Sequence, residues 1–258
     1  MILTILTPEN LNLFFALSAL TIILIAGYFP FKQRLATDTH AEFPIGETLA
    51  TGVFLGAALL HMLPEAQLGF IKLGYHYPLG LLITGITFLL FLWFEHLGEV
   101  LYHNHDNRAT HPAFAVVAWM MLSLHSIVLG TALGLSQEYS VQIMLFFAII
   151  AHKWAESFAI AVQLNKSTLS PKIAIMLFLS FALMTPLGIG IGYYFGQDVS
   201  THSLIDPILM AISAGTFLYL GTLHGLERCV MVQRCCNLRD FSFVIIGFLL
   251  MAAVAVYI

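Results

Sequence analysis

Charged residues are scarce in this chain. Only 9% of its 258 residues are Asp, Glu, Lys or Arg, whereas 59% are hydrophobic, and the mean hydropathy is +0.90. Because a soluble domain carries about 25% charged residues, this composition excludes an ordinary soluble globular protein. The net charge of −4 says little about partners in so apolar a chain, and we expect no nucleic-acid partner.

Cysteine is also rare. The chain has three cysteines, Cys229, Cys235 and Cys236, and they form no CxxC pair. Their spacing therefore gives no sign of a thiolate zinc site or a disulfide framework. We expect ordinary reduced thiols near a helix end.

Long apolar segments fill most of the chain. A transmembrane helix needs roughly 20 apolar residues, and eight segments come close to this length or exceed it. We number them spans one to eight, and they cover residues 9–29, 46–68, 78–101, 113–136, 140–164, 171–196, 205–226 and 240–258. The links are short, so the sequence predicts one all-α transmembrane domain over residues 1–258, without a separate soluble domain.

Lysine and arginine residues orient the predicted bundle. If eight spans alternate, the links after spans one, three, five and seven share one side, and the opposite side has only Lys72. The positive-inside rule places those four links in the cytosol and both termini on the extracytoplasmic side. Span one lacks the flanks of a removable signal peptide and is expected to be retained. The basic residues are Lys32, Arg34, Arg108, Lys166, Lys172, Arg228, Arg234 and Arg239.

Three polar residues lie deep inside two otherwise apolar spans. His125 lies near the middle of span four, and His152 and Glu156 lie four residues apart in span five, on one helix face. The short link at 136–140 makes the two spans antiparallel neighbours, so the three side chains can converge. Ionisable groups at membrane depth mark pathways or ligand sites, and this set suits a divalent ion such as zinc. Ser126 can add an oxygen ligand.

Lys153 is the unusual member of this cluster. An unpaired ammonium would repel a metal ion, so we expect its charge to lie against Glu156 or another carboxylate. A polar network or an internal ion pair without metal is the alternative interpretation. If metal binds, three protein ligands predict an exchangeable site, and a single carboxylate favours one ion over two.

Further polar residues lie toward both ends of the predicted bundle. His61 and Glu65, four residues apart near the outer end of span two, predict an entrance. A His-containing cytosolic loop at about 102–112 suggests transient metal binding, with Asp106 and His111 among its polar residues. The residues expected along the cytosolic exit are Glu95, His96, Glu99, His103, His105, His224 and Glu227.

Two short patterns concern helix packing. The His-x-x-x-Glu end of span two is similar to the His-x-x-Glu end of span seven, as in the inverted repeats of many transporters, although this similarity is too short to establish a repeat. Small residues recur at helical spacing in spans four and six, which favours close helix approach. They are Gly130, Gly134, Gly188, Gly192 and Gly196.

In these segments the chain resembles the ZIP family of divalent metal transporters. The segments are GVFLGAALLHMLPEA, HSIVLGTALGL, AHKWAESFAIAV, TPLGIGIGYYF and SAGTFLYL, in spans two, four, five, six and seven. The resemblance implies eight helices arranged 3+2+3, spans four and five at the centre, both termini outside and metal movement toward the cytosol. It also implies that His125, His152 and Glu156 bind the transported ion.

Three positions depart from the family pattern. Many members have glutamate where Leu129 and His224 stand, although the plant iron-regulated branch is aliphatic at the first position. Some bacterial members have aspartate where Lys153 stands and bind a second metal. These departures leave ion selectivity and the number of bound ions open.

Two other classes of protein compete with a transporter. A membrane metalloenzyme needs a general base beside the metal, and the chain has no HExxH motif. A haem carrier can use paired membrane histidines as axial ligands. We expect a multi-pass transporter of the plasma membrane, or the inner membrane of a bacterium, that moves Zn²⁺, with Fe²⁺ and Mn²⁺ left open. It is expected to have no enzymatic activity and no resident cofactor, and a homodimer is also left open.

Overall fold

The predicted helices are present in the computed structural model, which describes residues 8–37, 43–102, 112–136, 139–195, 204–223 and 238–256. Their regular secondary structure is helical, and each predicted span corresponds to a helix. In order, spans one to eight are Pro8–Thr37, Pro44–Lys72, Leu79–Tyr102, Pro112–Leu135, Tyr139–Lys166, Pro171–Phe195, Ile205–Leu223 and Leu238–Ala255.

The described helices have the length and apolarity of membrane spans. Seven of them are long and apolar enough to cross a bilayer, and Leu79–Phe94 in span three is a shorter apolar helix. The protein is therefore an all-α membrane protein. The 3+2+3 arrangement and the side of the termini stay predictions.

Span one is longer than expected. Its helix continues through Pro30 to Thr37, whereas the sequence predicted an end at residue 29. Proline lacks an N–H group and removes one helix hydrogen bond. The side-chain amide of Asn165 donates a hydrogen bond of 2.6 Å to Pro30 O, which ties this part of span one to the end of span five.

Glycines bring spans four and six into close contact, as predicted. Gly130 and Gly134 on span four lie against backbone of span six, and Gly188 and Gly192 lie against backbone of span four. A Cβ atom at any of these positions would overlap a carbonyl oxygen of the neighbouring helix. Gly196 lies outside the described residues. This close approach holds span four, and therefore His125, in a fixed position.

The packing of the spans supports an internal repeat. Span four packs mainly on span six and span two on span eight, while span five packs mainly on span one, and span seven packs on span three as well as on span two. Suppose that span one is exchanged with span six, two with seven, three with eight and four with five. The contact between spans four and six then becomes that between five and one, and the contact between two and eight becomes that between seven and three. If the spans alternate, the two members of each exchanged pair cross the membrane in opposite directions, as in an inverted repeat.

Matched residues occupy the equivalent contacts. Gly52 of span two lies against Val244 O. Gly215 of span seven lies against Thr84 O, which would be 2.6 Å from a Cβ atom added to this glycine. Gly52 is eight residues after Pro44, as Gly215 is after Pro207. The similarity between the ends of spans two and seven therefore extends back along both helices.

Both of these helices contain a locally widened turn. Span two contains a π-helical turn at Ala58–Met62, and span seven contains one at 220–223. In span two the turn lies just before Pro64, which cannot donate a backbone hydrogen bond. Such turns are frequent at functional sites, and this one carries His61.

Candidate metal centre

The structure brings the three predicted metal ligands together. Glu156 Oε1 lies 3.4 Å from His125 Nε2 and 3.4 Å from His152 Nε2. One ligand atom from each residue lies within 4.8 Å of the others, and all three residues are buried. The four-residue spacing in span five and the antiparallel contact with span four produce this convergence.

These separations fit a tetrahedral metal ion. Two ligand atoms about 2.05 Å from such an ion lie about 3.3 Å apart. Both nitrogens of His125 and His152, and Glu156 Oε1, are buried without a hydrogen-bond partner among the described residues. Buried polar atoms are normally satisfied. A divalent cation between them would satisfy the carboxylate oxygen and one nitrogen of each imidazole.

Lys153 lies on the other side of the same carboxylate. Its ammonium donates hydrogen bonds to Glu156 Oε2 at 2.7 Å and to Ser126 Oγ at 2.6 Å. It also lies 5.1 Å from the centre of the Phe181 ring, a distance typical of a cation–π contact. The expected pairing with Glu156 is confirmed, and it divides the carboxylate into an oxygen facing the histidines and one facing the lysine.

Ser126 contacts Lys153 in this arrangement. Its Oγ accepts the ammonium hydrogen bond and donates one of 2.6 Å to Leu122 O. Its hydroxyl is therefore engaged beside the histidine cluster. A role for Ser126 as an oxygen ligand of the metal stays a prediction.

Apolar residues also lie close to the cluster. Leu129, one turn after His125, is buried among aliphatic and aromatic side chains and offers no ligand atom. Phe217 of span seven has its ring centre 4.9 Å from that of His125 and 5.9 Å from that of His152. Nothing in the apolar segment SAGTFLYL indicated that Phe217 contacts the histidines, because this contact follows from the packing of distant spans.

A cavity of about 420 Å³ lies beside the cluster at the predicted entrance. His61 lines it, with Nδ1 3.6 Å from Glu65 Oε2, and the His61 ring centre lies 6.4 Å from that of His152. Asp206 and Lys72 also line the cavity. The sequence did not indicate Asp206, because an acidic residue in the first turn of a helix has an ordinary capping role.

The predicted exit lies mostly outside the described residues. Of its members, His96 is an exposed residue of the span-three helix. The others stay predictions, because the side chains of Glu95 and Glu99 and the residues 103–111 and 224–230 lie outside the described part.

Comparisons with known proteins agree with this geometry. A family model described as "ZIP Zinc transporter" matches residues 103–255. The mouse protein named "Zinc transporter ZIP2" is 30% identical, with 88% of this chain and 90% of the mouse protein aligned. The zebrafish (Danio rerio) protein named "Zinc transporter ZIP1" is 26% identical, with 91% of this chain and 93% of that protein aligned.

A plant relative has a name that points to another metal. The Arabidopsis thaliana protein named "Fe(2+) transport protein 3, chloroplastic" is 28% identical over 58% of this chain and 38% of its own length. The family match extends from the loop after span three through span eight, and therefore includes both helices that carry the candidate ligands His125, His152 and Glu156. The chain belongs to the ZIP family of zinc transporters.

Proposed function

We propose that this protein carries divalent metal ions, with Zn²⁺ as the first candidate, across a membrane into the cytoplasm through a site that holds one ion. The observation that supports this most directly is the buried set of His125, His152 and Glu156, whose converging ligand atoms lack hydrogen-bond partners among the described residues. A transmembrane ZIP chain has no evident structural need for such a set.

The ligand set suits an ion that must leave again. Three protein ligands leave a position for water or an incoming group, whereas four rigid ligands form a closed structural site. His61 and the cavity beside it offer a route from one side of the bundle. Ion release is needed for conduction, so an incomplete shell favours transport over storage.

The ion that the protein prefers follows less directly from its residues. Imidazole and carboxylate accept zinc, iron, manganese, cobalt and nickel, and affinity order alone does not determine selectivity. Zinc is the first candidate because the relatives that cover most of the chain are named zinc transporters. Iron follows because of the plant relative.

Purified protein in proteoliposomes tests this function. We expect saturable Zn²⁺ uptake when zinc is supplied outside, with a panel of Fe²⁺, Mn²⁺, Co²⁺ and Ni²⁺ ranking the alternatives. Protein-free liposomes and liposomes with the His152→Ala protein serve as controls. If none of these ions moves faster than in protein-free liposomes, the proposed function is wrong.

The two alternative classes have less support. The relatives are named as transporters, which fits a protein without enzymatic activity. A haem between the two histidines is disfavoured, because Glu156 Oε1 occupies the space 3.4 Å from both Nε2 atoms. A Soret band in the purified protein would revive that alternative. A plasma-membrane location and a homodimer are further proposals, which localisation and mass measurements in detergent can test.

Acidic residues at the cavity are expected to concentrate incoming cations. Glu65→Gln and Asp206→Asn should each raise the zinc concentration for half-maximal uptake by about two- to fivefold, with little change in maximal rate. Lys72 lines the same cavity, and Lys72→Gln changes the charge in the opposite direction. It should therefore lower the zinc concentration for half-maximal uptake. Uptake across a zinc series at low and high salt measures this. A lower maximal rate with unchanged half-saturation would instead place these acids in the transport step.

Histidines of the cytosolic loop are expected to receive ions rather than select them. Replacing His103, His105 and His111 by Ser should reduce uptake by about twofold or less and keep the order of ion preference. His76→Ser, at an exposed position on a different link, is the matched control. Competition among several metals measures the preference. A changed order, or complete loss of uptake, would place the loop in the selective site.

A further inference from the structure

An ion pair joins spans two and five at the end of the bundle that is predicted to face the cytosol. Glu47 lies in the first turn of span two, and Lys166 is the last residue of the span-five helix. Lys166 Nζ lies 2.7 Å from Glu47 Oε1, and their side chains are 20% and 10% exposed, respectively. Neither residue belongs to the predicted entrance, centre or exit.

Glu47 is held in place by its own helix start. The backbone N–H of Phe43 donates a hydrogen bond of 3.4 Å to Glu47 Oε1, and Phe43 stacks edge-on against Phe158 of span five. Gly46 lies directly against the Phe158 ring, where a Cβ atom would not fit. The carboxylate therefore has a fixed position, whereas Lys166 has a long flexible side chain at a helix end.

The same faces of the two helices lead from the metal centre to this pair. On span two, Glu47, Thr51, Phe54, Ala58 and His61 follow one another at intervals of three or four residues. Such intervals keep side chains on one helix face. The Phe54 ring centre lies 4.9 Å from that of Phe217, which contacts both central histidines. This stripe therefore joins the ion pair to the centre.

Span five carries a matching series. Gln163 lies seven residues after Glu156 and one turn before Lys166, so the three share a face. Gln163 Oε1 is buried without a hydrogen-bond partner among the described residues. A buried amide oxygen that accepts no hydrogen bond is a ready ligand for a hard or borderline cation.

We propose that the Glu47–Lys166 ion pair is the gate on the cytosolic half of the path, and that Glu47 is the exit carboxylate behind it. This inference depends on the proposed transport function. In the closed state the Lys166 ammonium occupies the carboxylate as a tethered cation. A divalent ion leaving the centre passes Gln163, displaces the ammonium toward water and binds Glu47 before release.

Charge explains why a divalent ion can displace the Lys166 ammonium from Glu47 and why the ammonium returns afterwards. An ammonium offers one charge and hydrogen bonds, whereas a divalent ion offers two charges and binds oxygen ligands such as a carboxylate. When the ion departs, the carboxylate again needs a cation, and the Lys166 ammonium, which lies 2.7 Å from it in the pair, can return. The site is thus occupied by a cation both before and after an ion passes.

Access to Thr51 tests the gate without any transport measurement. Thr51 is buried and lies one turn behind Glu47. In a protein with Cys229, Cys235 and Cys236 changed to Ser and Thr51→Cys added, a water-soluble maleimide should label slowly in detergent. Lys166→Gln and Glu47→Gln should each raise the labelling rate by about fivefold, as expected from losing an ion pair near a surface. Exposed Lys172→Gln should leave it unchanged.

Transport separates the role of the carboxylate from that of the ion pair. Both single variants lose the pair, but only Glu47→Gln loses the exit ligand, so its zinc uptake in proteoliposomes should fall below that of Lys166→Gln. The reversed pair Glu47→Lys with Lys166→Glu should restore slow labelling.

The outcomes distinguish this inference from the function on which it rests. Equal labelling in the parent, both single variants and Lys172→Gln would overturn the gate. Equal uptake by the two single variants would overturn the exit carboxylate. Responsive labelling in a parent protein that takes up no zinc would retain the gate and reject metal transport.

Discussion

His152→Ala and Glu156→Ala are each expected to remove most zinc uptake. Glu156 Oε1 is the atom that both imidazoles approach, so it is the point where the ligand set joins. Outer-shell changes at metal sites already reduce affinity by 10–100-fold, so loss of a direct ligand should reduce it by at least about 100-fold. Uptake at micromolar zinc should then fall close to that of protein-free liposomes.

Glu156→Gln is a sharper variant than Glu156→Ala. Alanine would leave the buried ammonium of Lys153 without its carboxylate, and an unpaired buried charge destabilises a protein by about 3–5 kcal/mol. Glutamine also removes the countercharge, but it keeps the volume and an oxygen that can accept the 2.7 Å hydrogen bond from Lys153, so the ammonium stays hydrogen-bonded. It removes the negative charge from the metal side. We therefore expect a folded protein that binds zinc weakly.

Radiolabelled zinc uptake at matched membrane abundance measures both effects. Exposed His76→Ala is the control for histidine removal as such. Thermal unfolding in detergent, with size-exclusion chromatography to detect loss of the folded protein, shows whether each variant is folded. Near-normal uptake by folded His152→Ala or Glu156→Gln would show that the ion does not use this cluster.

Hydropathy and helical spacing were enough to predict the spans and the central cluster. Each span is a long apolar segment, and spacing of four residues fixes the relative position of His152 and Glu156 on one helix. The short link to span four then leaves few places for His125. These are local properties of the chain, so they can be inferred from the sequence without tertiary contacts.

Contacts between distant spans could not be predicted in the same way. His61 lies beside His152, and Asp206 lines the cavity with Glu65, only because spans two, five and seven pack together. The Glu47–Lys166 pair joins residues 119 positions apart. Asp206, Glu47 and Lys166 have ordinary local roles at helix ends, so no local signal indicated these contacts.

The repeat illustrates the same limit. At the level of sequence, two short motifs ending in glutamate suggested a relation between spans two and seven. Ser157 donates to Ile23 O between spans five and one, and Gly130 meets Thr185 O between spans four and six. Ser157 and Gly130 each lie five residues after the central histidine of their span. In spans four and five, the relation is carried by equivalent contacts of chemically different residues, which sequence similarity cannot detect.

Lys153→Asp is expected to change the number of ions that the centre holds from one to two. In the parent protein the Lys153 ammonium lies 2.7 Å from Glu156 Oε2, on the side of the carboxylate away from the histidines. A second divalent ion bridged by Glu156 would need that oxygen. The ammonium supplies one positive charge at this place, and Leu129 provides no further ligand one turn beyond His125.

The substitution removes the competing cation and adds a second carboxylate. Two divalent ions a few ångströms apart repel each other strongly at low dielectric, so a binuclear site needs flanking or bridging carboxylates. Lys153→Asp provides one beside Glu156, and Ser126 Oγ, freed from the ammonium, becomes available as an oxygen ligand. Lys153→Met removes the charge without adding a ligand, so it is the matched control and should still hold one ion.

Metal content per chain, by elemental analysis and anomalous scattering, measures the difference. We expect about one zinc ion in the parent and in Lys153→Met, and about two in Lys153→Asp. Two ions at the centre of the parent protein would mean that Lys153 leaves Glu156 when metal binds. In that case the ammonium would act as a movable counter-charge, and its 2.7 Å contact with Glu156 would break when metal binds.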